Sequence, residues 1–165
     1  MSHGIVWKYG DNINTDVIFP GRYTYQIMAP EEMARHAMED LDPAFAAKVK
    51  PGDVVVAGKN FGCGSSREQA AACLKAAGIQ AVVAKSFARI YFRNAINLGL
   101  AVLQSDEAVD RLETGDHVDI DLARGEIRSA KGTFRFAPLP ASVIGIIEAG
   151  GLIEYTKRKL EQEPE

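Results

Sequence analysis

The chain has 165 residues, 47% of them apolar and 25% charged, which suits one soluble domain with a real core. Its net charge of −3, with 19 scattered basic residues, excludes the footprint of a nucleic-acid binder. No apolar run reaches the roughly 20 residues of a membrane span. The start, MSHGIVWKYGDN, lacks the apolar core of a signal peptide, so a cytoplasmic location is expected.

In chain order, Ile5-Val-Trp-Lys-Tyr9 reads as a first strand. A turn at 11–14 leads into Val17-Ile-Phe19, a short apolar strand stopped by Pro20-Gly21. Residues 22–29 have no period and read as a loop. The stretch 30–38 reads as a helix, with proline and two acids in its first turn, and 40–47 as a shorter helical piece. Lys50-Pro-Gly-Asp53 is a turn before a buried strand, Val54-Val-Val-Ala57. An alternation follows: a helix over 66–77, a strand over 80–84, a helix over 87–97 and a strand over 100–103. Strand and helix in turn imply parallel crossovers with both faces of the sheet covered. After the turn Thr114-Gly-Asp116, three short segments alternate polar and apolar residues like antiparallel strands: 118–122, 126–128 and 133–136. Two helices, 138–150 and 151 to about 160, precede an acidic tail that is expected to fray from about 161. The basic cluster Lys157-Arg-Lys159 falls in the last helix and complements its dipole. The whole reads as one compact α/β domain, 1–165, with a mixed sheet and flanking helices.

Asn60-Phe-Gly-Cys-Gly-Ser-Ser-Arg-Glu68 joins a buried strand to a helix, the position where open α/β sheets bind ligands. Gly62 and Gly64 let the backbone bend and approach a ligand closely. Ser65 and Ser66 are expected at the start of the helix, where free N–H groups favour an anion. Arg67 adds a fork suited to a carboxylate. A plainer reading stands beside this one: Ser65-Ser-Arg-Glu68 has the pattern of a capping box, with Ser65 as the cap and Glu68 reaching back. Neither a dinucleotide fingerprint nor a phosphate-binding loop fits, because the third glycine and the Gly-Lys-Ser/Thr ending are absent. The two cysteines, Cys63 and Cys73, are too few for a disulfide framework or a four-cysteine metal site.

The segment GKNFGCGSSREQA resembles the signature of the aconitase superfamily's swivelling domain. It is most similar to the small subunits of 3-isopropylmalate dehydratase and of archaeal-type homoaconitase. YGDNINTDVIFPGRY resembles the family's first motif, and VKPGDVVVAG leads into the signature. AKSFARIYFRNAINLGL and AGGLIEYTK follow in the family's order, so the resemblance covers about residues 4–158. It implies a swivelling β/β/α domain acting in a hydro-lyase that dehydrates and rehydrates a small hydroxy-dicarboxylate. It implies Ser65 as catalytic base, Ser66 and Arg67 as carboxylate ligands, and Asp16 as a member of the active-site network. Arg89, in Lys85-Ser-Phe-Ala-Arg89, takes a supporting role, with pairing to a nearby acid as the alternative. The implied cofactor is a [4Fe–4S] cluster acting as Lewis acid. With two cysteines here, that cluster must be held by a partner large subunit. A heterodimer or heterotetramer is expected, and a homo-oligomer of the chain alone is possible, since a domain built to cover another subunit exposes apolar surface.

The loop after Asp16 is where related subunits differ. Family members often carry Tyr-Leu-Arg-Thr at the place of Tyr23-Thr-Tyr-Gln26, so Tyr25 stands where that arginine would be. An aromatic face with one hydroxyl favours an apolar substituent, as in isopropylmalate, over a tricarboxylate such as homocitrate. A dimethylmalate-type substrate is the further alternative. Tyr25 pointing to solvent from a lid is the plain reading. Two other functions compete: a non-catalytic anion-binding regulatory module, and a standalone enzyme with Cys63 as nucleophile. The second lacks a partner base, because His3, His36 and His117 all lie outside the motif.

Overall fold

A computed structural model of the chain describes residues 2–162. Seven strands form the sheet: β1 (Ser2–Lys8), β2 (Val54–Ala57), β3 (Ala81–Ala84), β4 (Ala101–Gln104), β5 (His117–Asp121), β6 (Glu126–Ser129) and β7 (Gly132–Arg135). Their order is β4-β3-β2-β1-β5-β6-β7. From β1 to β4 the pairing is parallel, and from β1 through β5 and β6 to β7 it is antiparallel. The pivot is β1, whose residues 2–5 pair with β5 while Val6, Trp7 and Lys8 pair with β2.

Two helices cross over between the parallel strands, α4 (Gln69–Ala76) and α5 (Arg89–Asn97). Val55, Ala57, Val82, Ala84 and Val102 share one core cluster with residues of these helices. Crossovers of the usual hand, adding strands in one direction, place both helices on one face. The other face carries Val54, Val56, Ala81, Val83 and Leu103, which pack against Val118, Ile120, Ile127 and Phe134 of the antiparallel strands and against α6 (Asp106–Arg111). Both faces are therefore covered, as near-continuous apolar strands require, but one by helices and the other largely by the chain's own meander.

Asp53 fixes the junction of β1 and β2. Its buried carboxylate accepts from Ile5 N at 3.1 Å, Trp7 Nε1 at 3.0 Å and Lys50 N at 2.9 Å. Such satisfaction is what makes a buried carboxylate tolerable. Gly4 lies so close to Gly52 O that a Cβ would sit 1.8 Å from it.

The remaining helices are α1 (Thr15–Ile18), α2 (Pro30–Arg35), α3 (Phe45–Lys48), α7 (Ala141–Ala149) and α8 (Leu152–Gln162). Several depart from the sequence reading. The expected strand at 17–19 is overlapped by α1, whose cap Asn14 accepts a bond from Val17 N. The helix expected over 30–38 stops at Arg35, because Met38 turns to φ 60°, buries its side chain and donates its N–H to Ile18 O. In 40–47 only the end is helical, where Phe45 of α3 packs edge-on against Trp7 and Tyr9. No element was expected over 106–111, yet Ser105 caps α6 by accepting from Ala108 N. Residues 161 and 162 still belong to α8, and the rest of the expected frayed tail, 163–165, lies outside the described residues.

Candidate active site

Beyond the carboxyl ends of β1, β2 and β3 the chain does not disperse. Gly58 N donates to Gly10 O, and Lys85 N to Gly58 O. Farther out, Gly62 N donates to Ile13 O, Thr15 N to Cys63 O, Phe61 N to Ser86 O and Ala88 N to Phe61 O. The bridges Asn14–Cys63 and Phe61–Phe87 continue the parallel pattern. The three motifs of the sequence, at 10–16, 58–67 and 85–89, are thus laced side by side by their own backbones. Gly62 has φ 83°, and a Cβ there would meet the Tyr91 ring at 2.2 Å. Tyr91 is buried beneath it, donates to Ala70 O at 3.1 Å and stands edge-on to Phe61.

Ser65 and Ser66 are exposed and line a cleft of about 270 Å³ with Thr15, Arg67, Ala88, Arg89, Ile90 and Asn94. The capping-box reading is overturned. Glu68 is the N-cap of α4, with no side-chain cap bond, and Ser65 lies ahead of it in an irregular bend where Arg67 N donates to Ser65 O. The helix end that lines the cleft is instead the first turn of α5, at Arg89 to Tyr91, preceded by Ala88. The helix start expected at Ser65 and Ser66 comes later, at Gln69, and the free N–H groups that face the cleft are those of α5.

Arg67 is 11% exposed, and its two terminal nitrogens are bonded inside the chain. Nη2 reaches Asp16 Oδ1 at 2.9 Å, Thr15 O at 2.9 Å and Phe19 O at 2.6 Å, and Nη1 donates to Thr24 Oγ1 at 2.8 Å. Nε is buried with no hydrogen-bond partner. Arg67 therefore pins the loop after β1 to the serine loop. Asp16 meets the site through Arg67, with its carboxylate two-thirds exposed. Arg89 is exposed on the rim of the cleft. Tyr25 is not gathered in: it is 98% exposed, as is Ile27 beside it at 102%, and neither lines the cleft.

Thr15 was not singled out from sequence. It is buried under Ser65, donates to Ser65 O at 2.9 Å and lies 3.5 Å from Ser65 Oγ. The Asn14 cap beside it was the signal that could have drawn attention there.

The cysteines do not fit a cluster. Cys63 is half-buried in the loop, whereas Cys73 is fully buried in α4, 3.6 Å from Ile18 O and Ala70 O, where burial pushes its thiol well above its ordinary pKa. Among the described residues no three His, Cys, Asp or Glu side chains gather as metal ligands. A base for Cys63 is not supplied by histidine either. His36 stacks on Tyr23 and meets Glu39, while His3 and His117 lie in the antiparallel pairing of β1 with β5.

The family model of the aconitase C-terminal domain matches residues 10–108, from the loop after β1 into α6. Fold and laced loops are thus those of the aconitase class. The small subunit of 3-isopropylmalate dehydratase from Thermodesulfovibrio yellowstonii is 51% identical over 97% of this chain and 96% of its own length. Small subunit 1 of the same enzyme from Archaeoglobus fulgidus is 54% identical over 93% and 96%. The crystal structure of 3-isopropylmalate dehydratase (leuD) from Methanocaldococcus jannaschii superposes with a TM-score of 0.89 at 47% identity, covering 97% of this chain and 96% of that one. The chain belongs to the family of 3-isopropylmalate dehydratase small subunits.

Proposed function

We propose that the whole chain, 1–165, acts as one swivelling domain that brings the base and the carboxylate-binding groups to a hydro-lyase interconverting 2- and 3-isopropylmalate in leucine biosynthesis. The observation that carries this reading is the position of Ser65 and Ser66. Both are exposed at the cleft that the first turn of α5 enters, in a chain 51% identical to a dehydratase small subunit over 97% of its length.

Ser65 Oγ takes the proton from the carbon beside a substrate carboxylate. A serine is a weak base unless its alkoxide is stabilised. Arg67, Arg89 and the N-terminal turn of α5 supply the right sign of field around the cleft. Thr15 holds the Ser65 backbone from below, so the side chain is aimed by a buried neighbour. Ser66 and Arg89 receive a carboxylate at the rim. Asp16 orients Arg67 by accepting from its Nη2. Ser65 and Ser66 face open solvent in the single chain, so exclusion of water falls to a partner that closes the cleft.

The family makes the complex an iron–sulfur enzyme. With two cysteines in the chain and no ligand set among its described residues, the [4Fe–4S] cluster belongs in this reading to the large subunit, paired as a heterodimer or heterotetramer. The departure of the hydroxyl lies outside this chain's part. A cytoplasmic setting suits such an enzyme, and no described helix is long and apolar enough to cross a membrane. Tyr25 and Ile27 are exposed on the loop that Thr24 ties to Arg67, and in this reading their apolar surface favours the isopropyl group over a third carboxylate once the partner closes the cleft.

The test is a substrate panel of isopropylmalate, homocitrate, citraconate and dimethylmalate, with the chain alone and with a cluster-bearing large subunit. Turnover only in the mixture, fastest with isopropylmalate, is expected. Turnover by the isolated chain, or preference for homocitrate, would overturn the reading.

A further inference from the structure

The loop tip that carries Tyr25 and Ile27 is exposed, yet the residues on either side of it are tightly held. Tyr23 packs on Phe19 and His36 and donates to Glu39 at 3.1 Å. Met28 packs against the core. Between them, Thr24 is the last residue before the tip whose side chain is anchored. Its hydroxyl donates to Gly21 O at 2.7 Å and accepts from Arg67 Nη1 at 2.8 Å. Its carbonyl accepts from Gln69 Nε2 at 2.9 Å. Gln69 is the first residue of α4 and Arg67 follows the serine pair, so the tip is tied at one residue to both ends of the segment that leads from the site into the helix.

We propose that Thr24 is a positioning residue which, with Gln69, sets where Tyr25 and Ile27 stand relative to Arg67 and thereby determines the substituent the site accepts. This rests on the functional reading above and deepens it. The hydroxyl both donates to Gly21 O and accepts from the guanidinium, which an aliphatic side chain of the same shape cannot do. A side chain without a hydroxyl frees the loop from Gly21 O and from Arg67 Nη1 together. Asp16, Thr15 O and Phe19 O still hold the guanidinium on its other nitrogen, so the serine loop keeps its place while the tip loses its reference. The effect therefore falls on binding of the substituent rather than on proton transfer.

The experiment compares Thr24→Val, Thr24→Ser and Gln69→Met in the complex with the large subunit, using isopropylmalate and citraconate. Thr24→Val is expected to raise KM for isopropylmalate about tenfold, the loss of one hydrogen bond to a charged group. Its kcat should stay near wild type and citraconate should be affected less. Thr24→Ser is expected to restore the wild-type ratio, and Gln69→Met to shift it in the same direction as Thr24→Val. An unchanged ratio in Thr24→Val, or equal damage in Thr24→Ser, would overturn the proposal. Amide exchange in the isolated chain separates this from failure of the functional reading. The N–H groups of Thr24 and Gln26, bonded to Gly21 O and Tyr23 O, should exchange faster in Thr24→Val and Gln69→Met whatever the substrate. Unchanged exchange there would overturn the latch, whereas a wild-type complex inactive on isopropylmalate would overturn the assigned substrate.

Discussion

The parallel and antiparallel halves of the sheet handle polar groups in opposite ways. In the parallel half β2 and β3 are buried throughout, and polar residues such as Lys8 and Gln104 fall at the strand ends. There the backbones of three loops bond to one another, and one guanidinium gathers four acceptors. In the antiparallel half buried and solvent-facing residues alternate, and charges pair across the surface. Arg128 meets Glu126 and Asp121, Lys131 meets Asp116, and Arg135 meets Glu126. Charge at the strand ends is converged and partly desolvated, so it can act on a ligand. Charge on the meander is solvated and interchangeable, so it mainly keeps the outer face wet.

Substitutions should separate the halves. The largest effect is expected from Ser65→Ala, which removes the proposed base from an exposed position. Turnover of the complex should fall by about 10²–10⁴-fold, while circular dichroism and assembly with the large subunit stay as in wild type. Gly62→Ala should follow, acting on the fold first. Its Cβ would strike the Tyr91 ring from a backbone at φ 83°, and a destabilisation of about 2–4 kcal/mol by denaturant titration is expected from strain plus overpacking. Asp53→Ala should cost about 1–3 kcal/mol, since three buried or half-buried donors lose their acceptor. Its kcat should be unchanged where the complex is folded.

Arg128→Ala should have the smallest effect, with no resolvable change in melting temperature or turnover at neutral pH and moderate salt. Acid is where the meander responds. The Arg124 backbone N–H, then the Arg128 and Arg124 guanidiniums, hold the Asp121 carboxyl below its ordinary range. A depressed carboxyl stabilises fully above its unfolded pKa of about 4 and loses that contribution as pH falls through the lower folded value. The melting temperature should therefore drop on acidification below about pH 4, and less so in Arg128→Ala. An equal drop in both proteins would count against the pairing.

The halves also differed in legibility. Val54-Val-Val-Ala57 and its parallel neighbours were readable because short apolar runs bounded by turns have few alternatives, and the meander because its alternation matches the pleat. Val17-Ile-Phe19 misled because three apolar residues show no period, and the Asn14 cap decided for helix. Ser65–Glu68 matched a capping box letter for letter. The helix nevertheless starts later, since the burial of Arg67 and the bend through Gly62 and Gly64 override the local pattern. Of the candidate site residues drawn from the motifs, Ser65, Ser66, Arg67 and Arg89 line one cleft. Thr15 was not a candidate, because a threonine under a serine loop is set by contacts 50 residues apart in the chain. Tyr25 stands at a solvent-exposed tip, and its place against a substrate depends on what closes the cleft.

The most direct measurement is hydrogen exchange at the substrate carbon. The complex carrying Ser65→Ala is incubated with isopropylmalate in deuterated water, and deuterium entering the carbon beside the carboxylate is followed by NMR. With Ser65 as the base, the wild-type complex exchanges that hydrogen, and the variant binds substrate but leaves it in place. Exchange in the variant at the wild-type rate would contradict the assignment.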